Sequence, residues 1–145
     1  MELLFICSGN TCRSPMAEAL AKKMAPQHDT SSAGLYALEG ERPSAEAVQT
    51  MEKEYGVDIS AYRARQATAD IVARADLVLT MTEAQAASLS ASYPQFSNKI
   101  HPLVKYAFGK GGDVPDPYGM GIGSYIDAAA ELEKMVAAAL EKIGS

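Results

Sequence analysis

Cysteine occurs only twice in the 145 residues, and histidine only twice. Cys7 and Cys12 are too few and too close together to staple a secreted disulfide scaffold. His28 and His101 are far apart and sit beside no cysteine or carboxylate cluster, so they are expected to be surface or loop residues and no metal site is expected. Basic residues do not predominate. With 13 Lys and Arg against 18 Asp and Glu, the formal net charge is -5, which argues against broad binding to nucleic acid or an anionic membrane surface. No apolar run approaches the length needed to span a bilayer. Met-Glu-Leu-Leu-Phe at the N-terminus has no basic segment ahead of an apolar stretch, so no secretory signal is expected and the cytoplasm is the expected compartment. Internal repeats and low-complexity tracts are also missing. The length suits one domain, expected over residues 1–145, with a core that needs neither disulfides nor a structural metal.

What is present alternates between strands and helices. ELLFIC (2–7) and ADLVLTM (75–81) are short, largely apolar runs that read as buried strands. DTSSAGL (29–35) and NKIHPLV (98–104) are weaker strands, the latter carrying Pro102 at its end or on a sheet edge. Helical spacing appears in SPMAEALAKKMA (14–25). There Ser14 is the expected N-cap, Pro15 the first helical residue and Glu18 part of the first turn. PSAEAVQTMEKEYG (43–56), with Gly56 as its stop, ATADIVARA (67–75), TEAQAASLSAS (82–92), capped by Thr82, and a long amphipathic closing helix at 124–144 read the same way. Residues 109–123 form a turn-rich loop with seven Gly or Pro among its first thirteen positions. The expected fold is α/β: a single-domain, doubly wound, four-stranded parallel sheet with helices on both faces.

The chemistry concentrates in FICSGNTCRSPMAEAL (5–20), where a buried strand runs through a tight loop into a helix. Doubly wound folds bind ligands at this position. Backbone N–H groups and the helix N-terminus there favour a tetrahedral dianion. Gly9 is expected to supply unusual backbone angles, and Asn10 to tolerate left-handed geometry and tie the loop. The Gly-Lys-Ser/Thr ending of a nucleotide-binding loop is missing. Arg13 stands instead, and its fork grips two phosphate oxygens at once. A thiol in this setting is favoured as thiolate, so Cys7 is placed for in-line attack on phosphorus, with Ser14 steadying it. Phosphoryl transfer also needs an acid for the leaving group. DVPDPYG supplies Asp113 and Asp116 in a loop that a parallel sheet opens on the same edge.

Together these residues resemble the low-molecular-weight protein phosphatase family. CSGNTCRSPMAEA matches its signature loop and DPYG its acid loop, while SSAGL and ADLVLTMT resemble its intervening strands. The resemblance implies Cys7 as nucleophile, Arg13 as phosphate and transition-state clamp, and Asp116 as general acid and then base. It implies a phosphocysteine intermediate and no cofactor. The candidate phosphate- and substrate-binding residues are Ser8, Gly9, Asn10, Thr11, Cys12 and Ser14 in the loop, with Tyr36 and Tyr118 as walls. Tyrosine-directed members commonly carry an aliphatic residue where this chain has Thr11, and many have two successive aromatics in the acid loop. Thr11, and Tyr118 followed by Gly119, are more similar to the bacterial protein-arginine phosphatases. Phosphorylated proteins are the expected partners, and a monomer the expected state.

Three other readings stand beside this one. A tyrosine phosphatase shares every catalytic residue. A thioredoxin-coupled arsenate reductase shares the loop but needs cysteines downstream, and none follows Cys12. A redox-sensing anion-binding module would use Cys7 and Cys12 as a disulfide pair, but would have no use for an acid at Asp116.

Overall fold

Residues 1–144 are described by a computed structural model. Strand β1 (Glu2–Cys7) leads into α1 (Arg13–Met24), β2 (Asp29–Gly34) and α2 (Ala45–Tyr55). Then come α3 (Ala69–Arg74), β3 (Leu77–Thr80), α4 (Glu83–Ser92), a 3-10 turn (Pro94–Lys99), β4 (Ile100–Pro102), α5 (Leu103–Phe108) and α6 (Ile122–Ile143). The strands form one sheet in the order β2-β1-β3-β4, with all three pairings parallel. This is the expected α/β architecture. Among the described residues no helix is long and apolar enough to cross a membrane.

The uninterrupted apolar run of β1 follows from its central place. Leu3, Phe5 and Cys7 pack into the core beneath α1, α2, α5 and α6, while Leu4 and Ile6 pack into the opposite core with Val72 of α3 and Ala86 and Leu89 of α4. Alternate side chains are therefore buried on both faces. Full burial of a residue such as Phe5 or Ile6 contributes about 1.5–3 kcal/mol. Strand β2 holds despite its polar sequence because all six of its residues are in register with β1, from Glu2↔Asp29 to Cys7↔Gly34. On α6, Tyr125, Ala128, Ala129, Leu132, Val136 and Ala139 are buried at helical spacing, and the alanines let this helix lie close against α1.

Several local expectations are corrected. Helix α1 begins at Arg13 with Cys12 at the cap position, and no side chain caps it. Ser14 is thus inside the first turn with its hydroxyl committed elsewhere. Pro15 is the third helical residue, where its missing N–H still costs nothing, and Glu18 falls in the second turn. Residues 98 and 99 lie in the 3-10 turn, and β4 keeps only three residues. Leu103–Phe108 is helical because Pro102 sets the entry, Leu103 and Val104 are buried, and Gly109 ends it in the left-handed conformation. His101 lies within β4, its ring against Tyr106, rather than in a loop. The Thr82 cap is as expected, completed by Gln85 into a capping box. Gly56 ends α2 with φ 67°.

Candidate active site

Strand β1 is flanked on both sides, so its exit lies near the middle of the sheet's carboxyl edge. The loop that follows is held as an extension of the sheet. Leu35 N donates to Cys7 O at 3.0 Å and Tyr36 N to Ser8 O at 2.9 Å, continuing the pairing beyond the strand ends. The approach is close: a Cβ on Gly34 would stand 2.7 Å from Ser8 O and 3.1 Å from Asn10 N. Only glycine fits there. Asn10, with φ 57°, makes the left-handed turn and is the only non-glycine residue with positive φ among those described. Gly9 is not left-handed, which corrects its expected role. The conformational demand falls one residue later, on a side chain that can hold the turn by hydrogen bonds.

Those bonds converge on the thiol. Cys7 Sγ lies 2.9 Å from Ser14 Oγ and accepts the Asn10 backbone N–H at 3.2 Å. Asn10 Nδ2 donates to Ser14 Oγ and to Ser32 Oγ, both at 2.9 Å, and Asn10 Oδ1 accepts from Arg65 N at 3.0 Å. Ser32 Oγ in turn donates to Glu18 Oε1 at 2.6 Å, and Lys22 Nζ donates to Glu18 Oε2 at 2.7 Å. Asn10, Ser14, Ser32 and Glu18 are all buried. Burial works against the charge on Lys22, but its hydrogen bond to Glu18 and attraction to that carboxylate outweigh it and raise its pKa.

The far wall comes from the loop after α5. Val114 N donates to Met81 O at 2.8 Å, at the end of β3, and Asp113 Oδ1 accepts from Glu83 N at 2.8 Å at the start of α4. Arg13 reaches across: Nη1 donates to Val114 O at 3.0 Å, and Nη2 lies 3.7 Å from Asp116 Oδ2. Asp116 Oδ1 accepts the Tyr118 N–H at 3.1 Å, which turns the loop back on itself. A cavity of about 190 Å³ results, lined by Cys7, Ser8, Gly9, Thr11, Cys12, Arg13, Asp116 and Tyr118. Eight of the eleven expected residues meet there. Asn10 and Ser14 stand behind the loop, in contact with the thiol side rather than the cavity. Tyr36 is 77% exposed and borders a larger neighbouring cavity.

Cys12 has its own partners: its Sγ lies 3.3 Å from Tyr125 Oη and donates to Ser44 Oγ at 3.5 Å. Burial pushes the Tyr125 hydroxyl well above the ordinary phenol range, and its hydrogen bond with Cys12 acts in the same direction. Tyr125 therefore stays protonated. Thr11 is fixed by its main chain, Thr11 O accepting from Ser44 N at 2.9 Å, while its Oγ1 reaches Cys12 Sγ at 3.8 Å.

Sequence reasoning missed Ser32, Glu18, Arg65 and Gln85, which donates from Nε2 to Ser8 Oγ at 3.1 Å. A signal existed for Glu18 alone: a lone charge inside MAEALA, the stretch of α1 that is buried all round. Ser32 and Arg65 act through contacts distant in sequence and carry no local mark.

Residues 2–145 match the family described as low molecular weight phosphotyrosine protein phosphatase. The chain is 37% identical over 142 residues to a protein-arginine-phosphatase of Geobacillus stearothermophilus, covering 97% of this chain and 95% of that one. It is 41% identical to the low molecular weight protein tyrosine phosphatase of T. tengcongensis, with a TM-score of 0.94, covering 98% of this chain and 99% of that one. It is also similar, at 30% identity and a TM-score of 0.95 over 100% of this chain and 97% of the other, to a cysteine-to-serine mutant of the YwlE arginine phosphatase whose active-site serine is phosphorylated.

Proposed function

The chain belongs to the low molecular weight phosphotyrosine protein phosphatase family and is a phosphatase, and we propose that it hydrolyses phosphoarginine on proteins through a phosphocysteine intermediate. The observation that carries this reading is that Cys7, Arg13 and Asp116 line one cavity, with the Ser14 hydroxyl 2.9 Å from the sulfur. In the first step Cys7 Sγ attacks phosphorus, the P–N bond breaks, and Asp116 gives its proton to the departing nitrogen. The loop N–H groups and the Arg13 fork hold the three equatorial oxygens. Asp116, now a base, takes a proton from water as that water attacks phosphorus, and Ser14 stabilises the thiolate that leaves. The relative with a phosphorylated active-site serine supports a phosphoenzyme step. A cytoplasmic monomer acting on phosphorylated proteins, without cofactor, completes the proposal.

Thr11 supports arginine over tyrosine. It borders the cavity that Cys7 also lines, its main chain is fixed by Ser44, and its hydroxyl lies 3.8 Å from Cys12 Sγ, so it offers the cavity wall a polar group in place of an aliphatic one. An aliphatic side chain there would accept an aromatic ring but desolvate a polar guanidinium. One such match is worth roughly 1–3 kcal/mol, or one to two powers of ten in rate. Thr11→Ile is expected to lower kcat/KM on phosphoarginine peptides and raise it on phosphotyrosine peptides, measured side by side. If the unaltered protein turns over phosphotyrosine peptides at least as efficiently, the tyrosine reading replaces this one. That reading has its own support in the exposed rings of Tyr36 and Tyr118 near the cavity.

Redox control is the second part of the proposal. Both cysteines are free and both border the cavity. Peroxide is expected to convert the Cys7 thiolate to a sulfenic acid, which the Cys12 thiol captures as a disulfide with loss of water. Inactivation by peroxide should then be reversed by a dithiol, and less completely in Cys12→Ser, where over-oxidation is unprotected. Equal recovery of the two proteins would leave Cys12 only its contacts with Tyr125 and Ser44.

A further inference from the structure

Beside the thiol cavity lies a larger one of about 570 Å³, which shares Ser8, Arg13 and Asp116 with it, so the two adjoin. Leu35, Tyr36, Val114 and Pro115 give it apolar walls, and Ala84 and Ser88 of α4 close the far side. We propose that this groove holds a lysine or arginine side chain of the substrate polypeptide, near the phosphorylated residue in sequence. The proposal rests on the reading of the chain as a protein phosphatase and names the kind of protein segment it prefers.

The charges around the groove carry the argument. Asp113 and Asp116 both border it. The one cation in the lining is Arg13, whose side chain is 8% exposed and is committed to Val114 O and Asp116. The anchoring of Asp113 Oδ1 by the Glu83 amide fixes that carboxylate in place. A lysine or arginine can lay its methylene stem along Leu35, Tyr36 and Val114 and bring its charged head to the Asp113 carboxylate. An acidic residue would meet like charge at Asp113, and a purely apolar one would offer that carboxylate no counter-ion.

Ser88 offers a test that leaves the reaction centre alone. It is half-buried on α4, borders the groove and lies outside the thiol cavity. The measurement is kcat/KM on pairs of phosphopeptides, carrying phosphoarginine or phosphotyrosine, that differ only in lysine or glutamate at each flanking position in turn. A small aryl phosphate is measured alongside. The protein is expected to favour lysine at one or more positions by roughly three- to tenfold at low salt. Ser88→Lys should erase or invert that preference, and Ser88→Glu should widen it, with aryl phosphate turnover unchanged in both. Ala84→Lys, one turn earlier on the same helix face, should repeat the effect of Ser88→Lys. Equal rates on the lysine and glutamate peptides overturn the groove proposal and leave the protein-phosphatase reading standing, as does a preference that Ser88→Lys does not alter. Turnover of the aryl phosphate with none of any peptide overturns both.

Discussion

Cys7→Ser is expected to leave no measurable turnover of any phosphate ester or phosphoramidate while phosphate or vanadate still binds. The loop that cradles an anion is held by the Leu35 and Tyr36 amides and by the Asn10 side chain. None of these bonds involves the sulfur. Serine can keep the contacts with Asn10 N and Ser14, but its hydroxyl is a far weaker nucleophile than a thiolate. Isothermal titration with phosphate, paired with a single-turnover assay, separates the two properties. Residual activity above about one per cent would remove Cys7 from its proposed role. Arg13→Lys should be nearly as damaging, for two reasons. A point charge cannot grip two oxygens at once, and the bond from Nη1 to Val114 O that ties the Asp116 loop to the thiol loop is lost.

Asp116→Asn should slow phosphoenzyme formation by roughly 10²–10⁴-fold on substrates with poor leaving groups. Asparagine preserves shape and can still accept the Tyr118 N–H, so the loop should stay in place while the proton is lost. An activated aryl phosphate needs little help in departing and should suffer much less. Rapid-quench measurement of the phosphoenzyme on both substrate types checks this split. Asp113→Asn is the control, assayed on the aryl phosphate: its Oδ1 accepts from Glu83 N, which an amide oxygen can also do. If Asp113→Asn proved the more damaging, the two acids would exchange roles.

Legibility in the sequence followed the range of the interactions. Strands β1 and β3 were readable because burial on both faces demands an apolar run, and α4 because Thr82 caps it locally. The thiol loop was readable because all its chemistry lies within eight consecutive residues. Helix α5 was missed because Leu103 and Val104 satisfy a strand and a helix equally, and six residues hold too few turns to show a period. Ser14 was misread because a serine ahead of a helix is usually a cap. Here the 2.9 Å contact with Cys7 Sγ takes the hydroxyl instead. The supports behind Asn10 were illegible because Ser32 and Arg65 reach it from 22 and 55 positions away. The neighbouring groove was illegible too, since four segments far apart in sequence build it.

The two halves of the reaction rest on foundations of unequal depth. Cys7 ends the central strand, and amide exchange there should require opening of the whole sheet. Asp116 lies in a stretch where residues 115, 116 and 118–121 are exposed. That stretch is moored chiefly by the bonds at Val114, by Asp113 and by the contact of Asp116 with Arg13. Partial melting would therefore release the acid before the nucleophile. A protein warmed to that point keeps its thiol and its anion cradle and still accepts phosphate esters that leave unaided. It loses those that must be given a proton. Temperature would then act first on the range of bonds the protein can break, and only later on whether it breaks any.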